Sequence, residues 1–276
     1  MKHPIVIAID GTSASGKSTN SKLVAKALGF AHVDTGAMYR ALAWHCLRQK
    51  IDLHNPKAIA SACRSWKTEL ECVDHQVHLL VEGYYPGREI RTSEVSAAVA
   101  HVASVPKVRD WMKKKQQECI KFGNLVMEGR DIGTNVFPET DYKYFLDAHL
   151  EERSRRRAAE GVEENLAARD QRDSQRATSP LMIALGAKVI NNSQMSSAET
   201  SSLILENLKQ RFAQDGVKLP PSHMEHAENK CSKPPDSMHE PSSGDHEETS
   251  SVFQKLKADE TSDGENVVAS IDRVGT

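Results

Sequence analysis

The sequence predicts an α/β fold of three layers, with helices on both faces of a parallel central sheet. Three observations carry that expectation. Short apolar runs at 5–10, 31–34, 124–128, 142–147 and 188–191 alternate with longer segments of helical periodicity. The first, Ile5-Val-Ile-Ala-Ile-Asp10, is apolar up to its terminal acid, the pattern of a strand buried on both faces. It runs straight into Gly11-Thr12-Ser13-Ala14-Ser15-Gly16-Lys17-Ser18-Thr19, which fits G-x-x-x-x-G-K-[ST].

Each element has its own signal. Beyond the loop, Leu23, Val24, Ala27 and Leu28 recur at helical spacing, so the loop joins a strand to a helix. Its glycines let consecutive backbone N–H groups turn inward to cradle phosphate oxygens, aided by the positive end of the helix dipole. Lys17 can reach the outer phosphates and the Ser18 hydroxyl can ligate Mg²⁺. Ala31-His-Val-Asp34 reads as a second strand, with Asp34 or Thr35 as N-cap of a helix over 37–47. Tyr39 and Arg40 fall in its first turns, at the edge where open α/β sheets bind ligands. An ordinary packed aromatic and a solvated charge fit the same two positions.

Pro56 opens a helix over 55–66. Glu69–Val73 and Gln76–Val81 alternate around Asp74-His75, as a β-hairpin does. Cys72, His75 and His78 are three apart, but a hairpin does not bring them together, so no metal site is expected there. An Ala/Val-rich helix follows over 93–104, and Pro106 starts a longer one to about Phe122 with Arg109 on its first turn. After the strand at 124–128 comes Gly129-Arg130-Asp131-Ile132-Gly133-Thr134. Arg130 can fork onto a phosphate or a carboxylate. Asp131 can order that arginine, bind a base edge or help hold Mg²⁺ through water, and a structural ion pair is the plain alternative.

Beyond the strand at 142–147, residues 153–157 hold four arginines in five positions, with no further acid before Glu160. Arg169, Arg172 with Asp173, and Arg176 then share one helix face. A like-charged row is costly without an anion, so a polyphosphate ligand is expected. Lys188–Asn191 is the last strand, and the capping box Ser196-Ser-Ala-Glu199 opens a helix to about Ala213.

Charge divides the 276 residues unevenly. Residues 217–276 carry 6 Lys and Arg against 12 Asp and Glu, whereas residues 1–216 carry 30 against 26. A mildly basic body suits a small anionic ligand better than a nucleic-acid track, which would show basic stripes. From Gly216 on there are too few apolar residues to offset ordering entropy, so a disordered acidic tail is expected over 216–276. The five cysteines are odd in number and form no C-x-x-C pair, as in a reducing compartment. No signal-peptide pattern and no membrane-length apolar run is seen, so a cytoplasmic protein without membrane or nucleic-acid partners is expected.

Four segments together carry a family resemblance: the loop at 11–19, Asp34–Arg40, Gly129–Thr134 with Val136-Phe-Pro138, and Arg169-Asp-x-x-Asp173-x-x-Arg176 with Ser179-Pro-Leu. In this order and spacing, residues 4–213 closely resemble the bacterial-type cytidylate kinases of the nucleoside monophosphate kinase family. The resemblance implies a P-loop α/β/α domain over 1–215, a monophosphate-binding insertion with the hairpin at about 50–105, and a short helical lid at about 153–172. It implies transfer of the γ-phosphoryl group of ATP to CMP or dCMP, with Mg²⁺, by a monomer. Thr35, Tyr39, Arg40, Arg109, Arg130, Asp131, Arg169, Asp173 and Arg176 match positions lining the acceptor or the transferring phosphate, with Asp34 beside them. Arg109 and Asp131 are those expected near the cytosine, and Arg40, Arg130 and Arg169 those near the phosphate. Lys17, Arg130, Asp131, Arg169 and Arg176 form the expected catalytic set; residues 11–19 with Arg153 and Arg157 form the ATP site. Three positions depart from the family pattern: Ser18 replaces a common Gly, Ala100 replaces a Ser that often touches the base, and the segment from Arg157 to Arg169 is short. The competing readings are a P-loop kinase for UMP, AMP or a metabolite, and a nucleotide-binding module without turnover.

Overall fold

A computed structural model describes residues 4–159, 161 and 165–217. The expected tail lies outside the described residues from 218 on, as do Glu160 and residues 162–164 of the expected lid. The chain runs β1 (Val6–Gly11), α1 (Lys17–Leu28), β2 (Ala31–Asp34), α2 (Thr35–Arg48), α3 (Pro56–Ser65), β3 (Thr68–Val73) and β4 (Gln76–Val81). It continues through α4 (Ser93–Ala103), α5 (Pro106–Gln117), β5 (Leu125–Gly129), β6 (Tyr142–Asp147), α6 (Leu150–Ala159), α7 (Leu166–Ser174), β7 (Lys188–Asn191) and α8 (Ser197–Gln214).

Seven strands form one sheet in the order β3-β4-β2-β5-β1-β6-β7. β1 lies between β5 and β6, parallel to both, and all six of its residues are buried. Its alternate side chains face two separate cores, which is what makes the fold three-layered. Val6 and Ala8 join Met38, Leu42, Ile59, Val95, Val108 and Met112 from α2 to α5. Ile7 and Ile9 join Val24 of α1 and Ile204, Leu208 and Phe212 of α8. A fully buried isoleucine contributes roughly 1.5–3 kcal/mol, so β1 is a major anchor of both layers.

The hairpin belongs to this sheet. β4 pairs parallel with β2, His32 opposite Gln76 and Val33 opposite Val77, and only β3 is antiparallel. Alternation explains the docking: Val77, Leu79 and Val81 are buried while the residues between them are half-buried. Cys72 pairs with Val77 and Glu71 with His78, so Cys72 and His78 point to opposite faces of the hairpin. The helix expected from Pro106 to Phe122 ends earlier, tightening to a 3₁₀ segment over Glu118–Phe122. Asp34, Asn55, Thr92 and Asn165 cap their helices with a side-chain oxygen, and Ser196 and Glu199 make the expected reciprocal box on α8. Cys46, Cys63, Cys72 and Cys119 are buried and unbridged, and burial pushes the Cys46 thiol up to about 11. Among the described residues, no helix is long and apolar enough to cross a membrane.

Candidate active site

The loop at 11–19 is set by backbone geometry at two glycines. A Cβ on Gly11 would meet the Leu146 carbonyl oxygen at 2.0 Å, so only glycine lets β1 run so close to β6. Gly16 has φ 81° and caps α1 in the left-handed conformation. The loop is braced from within and behind. Lys17 Nζ donates to the Thr12 carbonyl and Ser15 Oγ donates to the same oxygen at 2.9 Å. Thr12 Oγ1 donates to Asp147 at 2.7 Å, and Asn192 Nδ2 to the Ser15 carbonyl at 2.9 Å. Burial pushes the Lys17 ammonium well below its ordinary pKa, and Arg130 and Arg169 push the same way while Glu128 and Asp10 oppose them.

Two clefts flank this loop. One, of about 490 Å³, is lined by the loop from Ala14 to Asn20, by Glu152 and Arg155–Arg157 of α6, and by Asn192, Met195 and Thr200. The other, of about 640 Å³, lies over the C-terminal ends of β2 and β5 and under α7. Asp34, Thr35, Tyr39, Arg40, Arg109, Arg130, Asp131, Arg169, Asp173 and Arg176 all line it, so the sequence-expected acceptor set converges on one cavity. Ala14, Lys17, Ser18 and Arg157 line both clefts.

Charge pairing organises the second cleft. Arg109 Nη2 donates to Asp131 Oδ2 at 2.8 Å, and its guanidinium lies 5.6 Å from the centre of the Tyr39 ring. Burial raises the Tyr39 phenol further above its usual range, which keeps it neutral. Arg130 Nε donates to Asp173 Oδ2 at 2.9 Å, and Arg176 pairs with the other oxygen of the same carboxylate. Burial alone would raise Asp173, but Arg130 and Arg176 outweigh it and hold the carboxyl low. Arg40 and Arg91 share Asp34 Oδ2 at 3.0 and 3.2 Å. Burial pushes Asp34 up too, yet the two arginines and the Ala37 amide bring it to about 2. Asp10 holds the turn that carries Asp131. Its carboxylate accepts from the Ile132 and Gly133 amides, both at 2.8 Å, at the start of a π-helical turn over Ile132–Val136.

Two expectations need correction. The arginine row is not bare of acids. Glu152 pairs with Arg155 and Arg156 at 2.9 Å, and Asp170 and Asp173 from α7 take Arg153, Arg130 and Arg176. The run of charges therefore did not by itself require an anion, because acids one helical turn away or on the facing helix balance it. Arg153 also departs from its expected place. It is buried and donates to the carbonyls of Ala148 and Ser13 and to Asp170, whereas Arg155, Arg156 and Arg157 line the first cleft. A run of arginines cannot tell from sequence which member faces inward.

Sequence reasoning missed Glu128, Asp170 and Asn192. Ser18 Oγ donates to Glu128 Oε2 at 2.9 Å, and Glu128 Oε1 is buried without a hydrogen-bond partner, 3.3 Å from His32 Nε2. The available signal was an acid ending an otherwise apolar strand, the same signature as Asp10.

Residues 7–210 match the model of the family described as Cytidylate kinase. Among curated proteins, the chain is 40% identical over 223 residues to the cytidylate kinase of Geobacillus sp. (strain WCH70), covering 77% of this chain and 100% of that protein. It is 40% identical over 219 residues to the cytidylate kinase of Shouchella clausii (strain KSM-K16), covering 75% and 97%. It is 39% identical over 222 residues to that of Anoxybacillus flavithermus (strain DSM 21510 / WK1), covering 76% and 99%.

Proposed function

The chain belongs to the cytidylate kinase family, and from that premise we propose that it transfers the γ-phosphoryl group of ATP to CMP or dCMP, giving ADP and CDP or dCDP. The observation that carries this reading is the pair of clefts meeting at Lys17 and Ser18. The first takes ATP and the second takes the monophosphate. An oxygen of the acceptor phosphate attacks the γ-phosphorus in line, and the bond from it to the β,γ-bridging oxygen breaks, leaving its electrons on ADP. The acceptor is already an anion near neutral pH, so no general base is required. Catalysis then consists of positioning and charge neutralisation.

The residue roles follow from this reading. Amides of the loop from Gly11 to Thr19 cradle the donor phosphates, and Lys17 neutralises charge on the transferring group. Arg157 approaches from the donor side. Arg40, Arg130 and Arg176 leave their carboxylates to grip the acceptor phosphate together with Arg169, while Thr35 and Asp173 position the acceptor. Asp131 reads the base. Its carboxylate only accepts hydrogen bonds, which suits the exocyclic amine of cytosine and rejects the carbonyl of uracil. Arg109 fixes Asp131, and Tyr39 supports Arg109.

The donor set also fits Mg²⁺. Ser18 and Glu128 offer hard oxygens, and one Glu128 oxygen is buried without a hydrogen-bond partner. When bound, the ion would offset negative charge on the donor phosphates. We further propose a monomer working in the cytoplasm, a kinase domain over 1–215 with its insertion at about 50–105 and lid at about 153–172, and a separate tail over 216–276.

The test is ADP release from ATP·Mg²⁺ with CMP, dCMP, UMP or AMP in parallel. Turnover with CMP and dCMP and little with the others is expected. Turnover on UMP or AMP would overturn the acceptor assignment, and ATP use independent of any acceptor would overturn the kinase reading.

A further inference from the structure

Two carboxylates of different character reach from α7 to the rest of the domain. Asp173 reaches Arg130 and Arg176 inside the acceptor cleft. Asp170 lines neither cleft. It faces the phosphate loop instead: Oδ1 accepts from the Ser13 amide at 3.0 Å, and Oδ2 accepts from Arg153 Nη1 at 2.5 Å. Arg153 in turn donates to the Ser13 carbonyl at 3.1 Å and to the Ala148 carbonyl at 2.9 Å. The carboxylate and the guanidinium thus hold both backbone polar groups of one loop residue. Both side chains are largely shielded from water, 15% and 9% exposed, where a charge-assisted pair is stronger than at the surface.

Arg169 immediately precedes Asp170 and lines the acceptor cleft together with Lys17. On a helix, successive side chains diverge by about 100°, so Asp170 can grip the loop while Arg169 faces the cleft. We propose that Asp170 is a positioning residue for phosphoryl transfer: its bonds to Ser13 and Arg153 fix α7 against the phosphate loop and so hold Arg169 in register with Lys17. This rests on the kinase reading above. Releasing the tether misaligns Arg169 and opens the loop to solvent. Water then competes for the γ-phosphoryl group: the same bond to the bridging oxygen breaks, the new one forms to a water oxygen, its proton passes to solvent, and inorganic phosphate leaves with ADP.

The experiment uses the full chain with Asp170→Ala and Asp170→Asn, each alone and in an Arg169→Ala background. CMP-dependent ADP release and CMP-free ATP hydrolysis are measured side by side, with circular dichroism to verify folding. Wild-type CMP-dependent turnover in the same assay establishes the kinase reading independently of the variants. Asp170→Ala is expected to lower kcat about tenfold to a hundredfold, with KM for CMP changing less than about threefold. The ratio of transfer to hydrolysis should fall by about tenfold. Asn keeps an oxygen for the Ser13 amide but loses the charge pairing with Arg153, so Asp170→Asn should fall between. In the Arg169→Ala background, loss of Asp170 should cost less than about twofold more, because both act through one group. An unchanged transfer-to-hydrolysis ratio in a folded variant, or full multiplication of the two single losses, would overturn the proposal. If Asp170→Ala fails to fold, the Asn series carries the same two criteria.

Discussion

Lys17 stands in the wall between the two clefts with its ammonium buried. Burial and two neighbouring arginines disfavour its charge, so a polyphosphate in the loop is the natural counter-ion. Lys17→Ala is expected to reduce kcat by about a thousandfold with an unchanged circular dichroism spectrum; near-normal turnover would refute the assignment. On the proposed reading, Asp131 recognises the base. Asp131→Ala should narrow the CMP-over-UMP ratio of kcat/KM by about tenfold or more, with KM for ATP little changed. Equal loss against both acceptors would count against that role. Ala100 lines this cleft with a methyl group, where the family resemblance implies a hydroxyl. Ala100→Ser should lower KM for CMP roughly two- to tenfold, the effect of one hydrogen bond of about 0.5–1.5 kcal/mol; an unchanged or higher KM would show that the base does not approach this position.

At the level of elements, the turn after β5 depends on Asp10. Its carboxyl is pushed up by burial to about 6, against two amide hydrogen bonds. A carboxyl raised in the folded chain binds its proton more tightly there than in the unfolded chain. Stability attributable to Asp10 therefore falls as pH rises from about 4 to about 6 and is level above that. Urea melts of wild type and Asp10→Asn across this range should show their difference sloping in that direction, and a flat difference would contradict it. Most elements were legible because their signals are local: β1 and its loop from an apolar run and two glycines, α8 from its capping box. The hairpin was legible as a hairpin but not as part of the sheet, because β2–β4 pairing joins residues more than forty positions apart. The same reasoning explains the site. Arg109, Arg130 and Arg176 were found by motif, but the pairing of Arg109 with Asp131, that of Arg130 with Asp173 and the inward turn of Arg153 depend on how α5, α6 and α7 pack, which no local pattern encodes; only the Arg176–Asp173 contact, three residues apart, is local.

For the whole molecule, the body that resembles the family and the body that holds both clefts are the same. The family match spans residues 7–210, and the second core closes on α8, with Val217 packed at its margin. A chain ending at Val217 should therefore keep kcat and KM for ATP and CMP within about twofold of the full chain; a larger loss would assign residues 218–276 a part in catalysis. The paired arginines of the acceptor cleft bear on turnover as well as binding. On the proposed reading, Arg40 gives up Asp34, and Arg130 and Arg176 give up Asp173, to grip a phosphate, and each takes its carboxylate back when the phosphate departs. The carboxylates are resident competitors for the product. A nucleoside diphosphate carries more charge than the monophosphate it came from, and bare arginines would hold it the more firmly. With competitors built in beside Arg40, Arg130 and Arg176, that reading has the cleft let go of what it has made.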